Sequence, residues 1–323
     1  MTNDAKRSVY LTRRLPEAVE RQLHELYRVR RNEADSILTT EELIEAAKGC
    51  AYIITSAMQP IQRSVFTTLR ETLLAVGTLS VGFNHIDLDA ARECNVRVFY
   101  SPGVLSDACA ELAMMLLLNA ARRGHEADTM VREGRWAGYA PTQLLGVGLS
   151  GRRAGILGMG RIGQALAQRL KPFGVAVHYH NRNRLNAHEE GNATFHTTPE
   201  SLLPISDFFF LLAPASPELK QFLNRERIEQ LPQNAIVVNI SRGEAVDDDA
   251  MIEALQNGRL FAAGLDVFQN EPKIDARYAA LPNVFLTPHI ASATTDTRNA
   301  MGFLVLKALL DFESGRTVEN QLC

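Results

Sequence analysis

Residues 158–163 form a GxGxxG pattern, and this pattern constrains the fold of the 323-residue chain more than any other stretch. It directly follows a short apolar run, AGIL, and opens the helical pattern RIGQALAQRL, which Pro172 and Gly174 end. In this context the glycines make the turn, let the backbone approach a pyrophosphate, and pack the helix on the strand. The pattern predicts a dinucleotide site at the helix N-terminus, the alternative being a tight turn without a ligand. The predicted contacts are Gly158, Met159, Gly160, Arg161, Ile162 and Gly163.

The next apolar run, VAVHYH, ends near Asn181, about 20 residues further on, where an acidic residue normally binds the ribose of NAD. Asn181 carries no charge that would repel a 2′-phosphate, and Arg182 and Arg184 are cations that could bind one. The stretch therefore predicts that NADPH/NADP is preferred, with NADH/NAD as the alternative cofactor. The other interpretation is that both arginines simply belong to a solvated loop.

Strand-like and helical patterns alternate along the whole chain, which predicts an α/β protein with parallel sheets. The strand-like runs are SVYLT, AYIITS, the segments before and after the helix DLDAARE, FFFLLAP, AIVVNIS, AAGLDVF and VFLTPH. One long helix, DACAELAMMLLLNAARRGHEADTMVREG, is predicted to carry the chain from the first unit into the second. The helical stretch after His289 is predicted to pack back on the first unit.

The composition is that of a globular protein, with 46% apolar and 22% charged residues. A net charge of −3 argues against nucleic acid or an anionic membrane as a partner. The polar N-terminus lacks the apolar core of a signal peptide, and the apolar run from Leu112 is too short to span a bilayer. With no CxxC pair, the cysteines indicate free thiols in a reducing cytoplasm and no zinc site. They are Cys50, Cys94, Cys109 and Cys323.

Three strand-like runs end in ionisable groups, and ligands of open α/β sheets bind at the carboxyl ends of strands. AIVVNIS ends at Arg242, AAGLDVF leads to Asp266 and Glu271, and VFLT ends at His289. Together they supply a cation for a carboxylate, a candidate acid/base, and a partner for that acid/base. His178 and His180 form an H-x-H pattern without other ligand types nearby, which favours packing over metal binding.

Five segments resemble the D-isomer-specific 2-hydroxyacid dehydrogenase family. They are GILGMGRIGQALAQRL, NISRGEAVDDDAMIEAL, AAGLDVFQNEP, LTPHIASAT and SVGFNHIDLDAA. The resemblance covers essentially the whole chain and is nearest to the glyoxylate/hydroxypyruvate reductase and 2-ketogluconate reductase group. It implies two Rossmann-like domains with a cleft between them, and a homodimer. A flavodoxin-like substrate-binding domain would comprise residues 1–100 and 290–323, and an NAD(P)-binding Rossmann domain residues 101–289.

The resemblance also implies roles for the charged groups. Arg242 would bind the substrate carboxylate and polarise the keto oxygen, and His289 would be the general acid. Glu271 would hydrogen-bond His289 and favour its protonated form. The backbone amides of Val81 and Gly82 would also hold the carboxylate. Asp266 is similar to the family residue that faces the nicotinamide carboxamide.

Other positions carry weaker signals. Trp136 resembles a family segment that crosses to the partner subunit and borders its substrate pocket, the alternative being an ordinary core or interface tryptophan. Asp107 lies where relatives approach the cofactor, although helix capping alone would explain it. Met58 would line the substrate pocket or simply fill the core. His85 is interpreted as loop structure rather than a second acid.

The sequence thus predicts a cytoplasmic reductase that converts a 2-keto acid to a D-2-hydroxy acid. Glyoxylate, hydroxypyruvate and 2-ketogluconate all offer the required carboxylate and ketone. One alternative is a dehydrogenase of the family with another substrate. A second is a nucleotide-regulated binding protein of the corepressor type on the same fold, and the compact ends of the chain favour the metabolic enzyme over it.

Overall fold

The computed structural model describes residues 6–323 and divides the chain into two compact units. One unit consists of the chain up to Leu105 together with Ala293–Cys323, and the other of Ser106–Ser292. The assignment of substrate binding to the first unit and cofactor binding to the second stays a prediction.

The first unit contains a parallel five-stranded sheet in the order β2-β1-β3-β4-β5, which is the flavodoxin-like order. Its strands are β1 (Ser8–Leu11), β2 (Arg28–Arg31), β3 (Tyr52–Thr55), β4 (Ala75–Thr78) and β5 (Arg97–Phe99). Its helices are α1 (Glu17–Leu26), α2 (Thr40–Ala47), α3 (Arg63–Leu69), α4 (Leu88–Glu93) and, from the C-terminus, α13 (Thr295–Glu313). The central strands β3 and β4 are buried along their entire length, as is typical of a sheet covered on both faces.

Two close approaches hold α13 in the first unit. A Cβ on Gly302 would lie 2.6 Å from Cγ2 of Val19 in α1, and a Cβ on Gly77 would lie 2.4 Å from Cγ1 of Val305. Glycine is therefore needed where α13 crosses α1 and where β4 lies under α13. The C-terminal helix belongs to the first unit for this reason.

The second unit contains a parallel seven-stranded sheet in the order β12-β11-β10-β9-β6-β7-β8. Counted from its first strand, this is the classical Rossmann order extended by one strand. The strands are β6 (Arg153–Leu157), β7 (Ala176–His180), β8 (Thr194–Phe195), β9 (Phe208–Leu211), β10 (Ala235–Asn239), β11 (Leu260–Leu265) and β12 (Val284–Leu286). The helices are α5 (Ser106–Ala121), α6 (Gly124–Arg132), α7 (Arg161–Leu170), α8 (Ala187–Glu190), α9 (Pro199–Leu202), α10 (Arg225–Gln230), α11 (Asp248–Gln256) and α12 (Ala276–Ala279). The predicted fold class is confirmed.

Alternate residues of the central strands enter two separate cores, one on each face of this sheet. In β9, Phe209 and Leu211 pack into one core, whereas Phe208 and Phe210 pack into the other. The second core also contains the buried faces of α5 and α7. This two-sided burial closes both faces of the sheet to ligands, and in open α/β sheets ligands bind at the carboxyl ends of the strands.

The prediction of one long helix from Asp107 is wrong, because the segment forms two helices, α5 and α6. Arg123 has a left-handed backbone with φ of 53°, which ends the first helix. A Cβ on Gly124 would lie 2.2 Å from Oδ1 of Asn119, so the second helix starts close against the first. No helix within residues 6–323 is long and apolar enough to cross a membrane.

Candidate active site

The glycine loop follows β6 and leads directly into α7. Gly158 has φ of 103°, and a Cβ on it would lie 2.4 Å from the backbone nitrogen of Ala213. A Cβ on Gly163 would lie 2.7 Å from the carbonyl oxygen of Gly158, so this glycine lets α7 pack on the loop. A Cβ on Gly160 would meet nothing within 4 Å. Gly160 thus borders open space, as expected of the glycine next to a pyrophosphate.

The N-terminus of α7 is suited to bind an anion. Gly160 is its N-cap residue, and no side chain of the described residues caps it. The first amides of a helix without a cap carry partial positive charge and lack acceptors. This loop and helix fit the pyrophosphate of a dinucleotide, with Arg161 and Ile162 in the first turn.

Asn181 follows β7 and braces the glycine loop. Its Oδ1 accepts a hydrogen bond from the backbone N–H of Met159 at 2.6 Å, and its Nδ2 donates to the carbonyl oxygen of Met159 at 3.3 Å. An aspartate could accept from the same N–H, but its second oxygen would face the carbonyl oxygen without a hydrogen. The neutral amide therefore serves the loop, a structural role that the sequence did not indicate.

The two arginines after Asn181 differ in their contacts. Arg184 makes a bidentate ion pair with Glu190 at 2.8 and 2.9 Å and lies 5.8 Å from the ring centre of Phe195. Hydrogen bonding to Arg184 is the main cause of the lowered pKa of Glu190. Arg182 is exposed and has no ion pair within 4 Å among residues 6–323. Arg182 is the cation of this loop that remains available to a ligand.

His178 and His180 lie on β7 beside β8, and both contact His196. Nδ1 of His178 lies 3.0 Å from Nε2 of His196, and Nδ1 of His180 lies 2.9 Å from the carbonyl oxygen of His196. Burial, followed by the charges of His196 and Arg153, lowers the pKa of His178. Within residues 6–323 no group of three or more His, Cys, Asp or Glu side chains could hold a metal ion.

Asp266, directly after β11, is fully buried and organises the loop that follows β12. Its Oδ1 accepts from the hydroxyl of Thr287 at 2.6 Å and the N–H of Ile290 at 2.8 Å, and its Oδ2 accepts from the N–H of Ala291 at 2.9 Å. Burial raises the pKa of Asp266, and these three donors together with the His289 charge oppose the shift. The carboxylate therefore braces residues on both sides of His289, and its predicted role towards the nicotinamide stays a prediction.

His289 and Glu271 form the central hydrogen-bonded pair of the candidate site. Nδ1 of His289 lies 2.7 Å from Oε2 of Glu271, whose Oε1 accepts from the N–H of Phe268 at 2.8 Å. Burial acts to raise the pKa of Glu271. His289, the Phe268 amide and the charge of Arg242 outweigh it, so the pKa is lowered. Because Nδ1 is held by Glu271, Nε2 is the nitrogen of His289 that can act on a substrate.

Arg242 lies in the turn after β10, and the backbone fixes that turn against the Glu271 loop. A Cβ on Gly243 would lie 1.9 Å from the carbonyl carbon of Phe268, so only glycine fits there. Nδ2 of Asn239 donates to the carbonyl oxygen of Arg242 at 2.9 Å, while Oδ1 of Asn239 accepts from the N–H and the hydroxyl of Ser241. Sequence analysis missed Asn239, whose signal is a buried polar residue at the end of an apolar strand.

In the first unit, Met58 and Val81 lie in turns after the neighbouring parallel strands β3 and β4. Met58 is half-buried, Val81 is exposed, and the N–H groups of Val81 and Gly82 donate to no other residue within 6–323. His85, further along the turn after β4, contacts the hydroxyl of Thr78. These amides are free to bind an anion.

Trp136 and Asp107 lie in the second unit, away from the glycine loop in sequence. Trp136 is 57% exposed, which excludes the core tryptophan that was one interpretation. Asp107 forms an ion pair with Arg169 at 3.0 Å, and its side chain is 81% exposed. Arg169 lies in the last turn of α7, at the opposite end of the helix from the glycines. The position of Asp107 near the cofactor stays a prediction.

Comparison with known proteins matches residues 114–291 to the model of the "D-isomer specific 2-hydroxyacid dehydrogenase, NAD binding domain". The chain is 41% identical to a glycerate dehydrogenase from Hyphomicrobium methylovorum over 92% of this chain and 93% of the relative. It is 36% identical to a glyoxylate reductase from Thermococcus litoralis over 98% of this chain and 96% of the relative.

Solved structures show the same similarity. One is an NADPH-dependent glyoxylate/hydroxypyruvate reductase from Sinorhizobium meliloti in complex with NADP and malonate. Its TM-score is 0.85 at 31% sequence identity, and the match covers 99% of this chain and 97% of that structure. The similarity therefore extends through both units.

Proposed function

This chain belongs to the D-isomer-specific 2-hydroxyacid dehydrogenase family, and from that premise we propose that it is an NADPH-preferring reductase of a small 2-keto acid. An oxidoreductase acting on a 2-keto acid agrees with the glyoxylate reductase and glycerate dehydrogenase relatives. The preference for NADPH, the individual substrate and the roles of the site residues are parts of the proposal.

Bound NADPH would supply the hydride that reduces the keto carbon. The protein supplies the proton: Nε2–H of His289 donates it to the keto oxygen, which becomes the hydroxyl of the D-2-hydroxy acid. Arg242 stabilises the negative charge that develops on that oxygen and attracts the substrate carboxylate. In the first unit, the amides of Val81 and Gly82 would bind a carboxylate group, as the family resemblance implies.

The observation that carries the proposal is the hydrogen bond between His289 and Glu271. A carboxylate on Nδ1 fixes the orientation of the imidazole and leaves Nε2 as the nitrogen that can act on a substrate, which is the arrangement that a general acid requires. The charge of Arg242 also contributes to the lowered pKa of the Glu271 carboxylate. A cation for the substrate and an oriented acid therefore lie on one edge of one sheet.

The preference for NADPH rests on Asn181 and Arg182. Asn181 keeps a negative charge away from the end of β7, and Arg182 supplies an exposed cation directly after it. The similar Sinorhizobium meliloti reductase is NADPH-dependent by its description, which supports the same preference here. Arg184 contributes less, because Glu190 already neutralises it.

The candidate substrates are glyoxylate, hydroxypyruvate and 2-ketogluconate. The names of the relatives support the first two, since glycerate is the product of hydroxypyruvate reduction. The half-buried Met58 would line the substrate pocket. We propose a cytoplasmic location as well, which is supported by the four free cysteines.

Initial rates with NADPH and NADH against the three keto acids test the proposal. Fast NADPH oxidation is the expected result, and the acid with the highest kcat/KM identifies the substrate. A strong preference for NADH would contradict the roles of Asn181 and Arg182 but leave the reductase intact. Absence of turnover with all three acids would favour the alternative of a nucleotide-regulated binding protein.

A further inference from the structure

A chain of four hydrogen-bonded groups runs from His85 to the turn that contains Val81 and Gly82. Nε2 of His85 lies 3.0 Å from Oγ1 of Thr78, which lies 2.8 Å from Oγ of Ser80. Oγ of Ser80 donates to the carbonyl oxygen of Gly82 at 2.7 Å. Thr78 is fully buried and Ser80 nearly so, so solvent does not compete with these contacts.

The number of hydroxyl hydrogens fixes the direction of this chain. A carbonyl oxygen can only accept, so the single hydroxyl hydrogen of Ser80 is used on Gly82. Thr78 must therefore donate to Ser80, and its own hydrogen is then used as well. Nε2 of His85 must carry the hydrogen in the contact with Thr78. The proton order thus runs from His85 through Thr78 and Ser80 to Gly82.

The hydrogen bonds from His85 to Gly82 hold one end of the turn, at the Gly82 carbonyl group. Ser101 holds the other end, at the Ser80 carbonyl group. The N–H of Ser101 donates to the carbonyl oxygen of Ser80 at 3.0 Å. Because peptide units are planar and trans, fixing the Ser80 carbonyl also fixes the opposite direction of the Val81 N–H. Fixing the Gly82 carbonyl likewise fixes the peptide after Gly82. The Val81–Gly82 peptide, which carries the Gly82 N–H, lies between these two fixed planes.

We propose that His85 is a positioning residue for the substrate carboxylate, acting through Thr78 and Ser80 on the Val81 and Gly82 amides. The inference rests on the proposed function, in which these amides bind the carboxylate. Donors that are already oriented bind an anion without the cost of ordering them at the moment of binding. His85 does not touch the substrate, and the chemical step remains with His289.

Kinetics of glyoxylate reduction separate this role from a general structural one. His85→Leu removes the Nε2 donor and should raise KM for glyoxylate about three- to tenfold, with kcat changed by less than about twofold. His85→Gln places an amide N–H near the position of Nε2 and should restore most of the affinity. Ser80→Ala breaks the last link and should raise KM by a similar factor, whereas Ser80→Ala with His85→Leu should cost no more than Ser80→Ala alone.

Binding of oxalate, a dicarboxylate that cannot be reduced, tests the positioning role independently of turnover. In calorimetric titrations with NADPH present, His85→Leu should weaken oxalate binding by the same factor, and the KM for NADPH should not change. His24→Leu, on the exposed face of α1, is the matched control. Four results would each overturn the proposal. Two concern the single variants: an unchanged affinity in His85→Leu, or equal losses in the Leu and Gln variants. The others are additive losses in the double variant and a wild type that does not bind oxalate. Weaker oxalate binding in a chain without keto acid turnover would support the positioning role while rejecting the reductase.

Discussion

His289 has a backbone conformation that side chains rarely adopt, with φ of 53°. Non-glycine residues in the left-handed region are held there by their surroundings, and they concentrate at functional sites. The N–H of His289 donates to the carbonyl oxygen of Asp266 at 2.9 Å, while the Asp266 carboxylate accepts from the two following amides. The buried aspartate thus imposes the backbone that presents the imidazole to Glu271.

Replacement of His289 by alanine tests its proposed role as the general acid. We expect His289→Ala to lower kcat by about 10²–10⁴, the usual contribution of a positioned acid. The KM for NADPH should stay near the wild-type value, because the glycine loop is unaffected. Steady-state rates with the best keto acid give the result, and a kcat within about threefold of the wild type would remove His289 from the mechanism.

Glu271 should make the stability of the fold depend on acid pH. Its pKa in the folded protein lies below the ordinary value of 4.5. A carboxyl with a lowered pKa contributes stability that is fully present above its unfolded pKa and is lost as the pH falls through its folded pKa. Glu271→Gln should therefore destabilise the protein more at about pH 7 than at about pH 4. Urea unfolding at both values measures the difference, and an equal effect at the two would contradict it.

For single residues, the sequence predicts which side chains are candidates for the site better than it predicts which residues they contact. Arg242, Glu271 and His289 each stand in a distinctive segment after an apolar strand, which is why the sequence alone selects them as candidates. The contacts of Asn181 with Met159 and of Asp266 with Ala291 join different loops, 22 and 25 residues apart along the chain. Local patterns do not determine which loops meet, so these two bracing roles required the structure.

Among the elements, the loop after β7 carries the proposed preference for NADPH. Arg182→Ala should raise KM for NADPH far more than KM for NADH, because only NADPH has the 2′-phosphate that this cation would bind. The loss of one charge-assisted hydrogen bond corresponds to about 10- to 100-fold in affinity. Initial rates with both cofactors measure the two values.

Arg184→Ala is the matched control for this element. Its guanidinium already pairs with Glu190, so its removal should change both cofactor affinities little. Equal effects of Arg182→Ala on NADPH and NADH would contradict the phosphate site. A larger NADPH effect from Arg184→Ala would transfer the role to the second arginine.

Elements with strong apolar patterns could be predicted, and the exceptions have physical causes. Strand β2, RVRR, contains three arginines, so its composition suggests no strand. It forms because it pairs with β1 on one side only and its side chains are partly solvated at the sheet edge. The break between α5 and α6 was missed because arginine is a good helix former, and tertiary packing rather than propensity sets the left-handed Arg123.

For the whole molecule, we propose a homodimer. Four large apolar side chains in residues 131–145 are exposed by more than half in the isolated chain, namely Val131, Trp136, Tyr139 and Leu145. Exposed apolar residues that cluster in one segment mark an interaction surface, and charged residues are depleted from the centre of such interfaces. A second copy of this chain is the partner that the family resemblance implies.

Substitution within this segment tests the dimer. The wild type should sediment as a dimer at micromolar concentration, and Tyr139→Glu combined with Leu145→Glu should give a monomer, because each buried charge would lie unpaired in the interface. Ile37→Glu, at a residue of the first unit that is 43% exposed, is the control and should leave the dimer intact. Monomeric wild type, or dimers in the double variant, would contradict the proposal.

If Trp136 also borders the partner's substrate pocket, the monomeric variant should show a raised KM for the keto acid, whereas an unchanged KM would limit Trp136 to the interface.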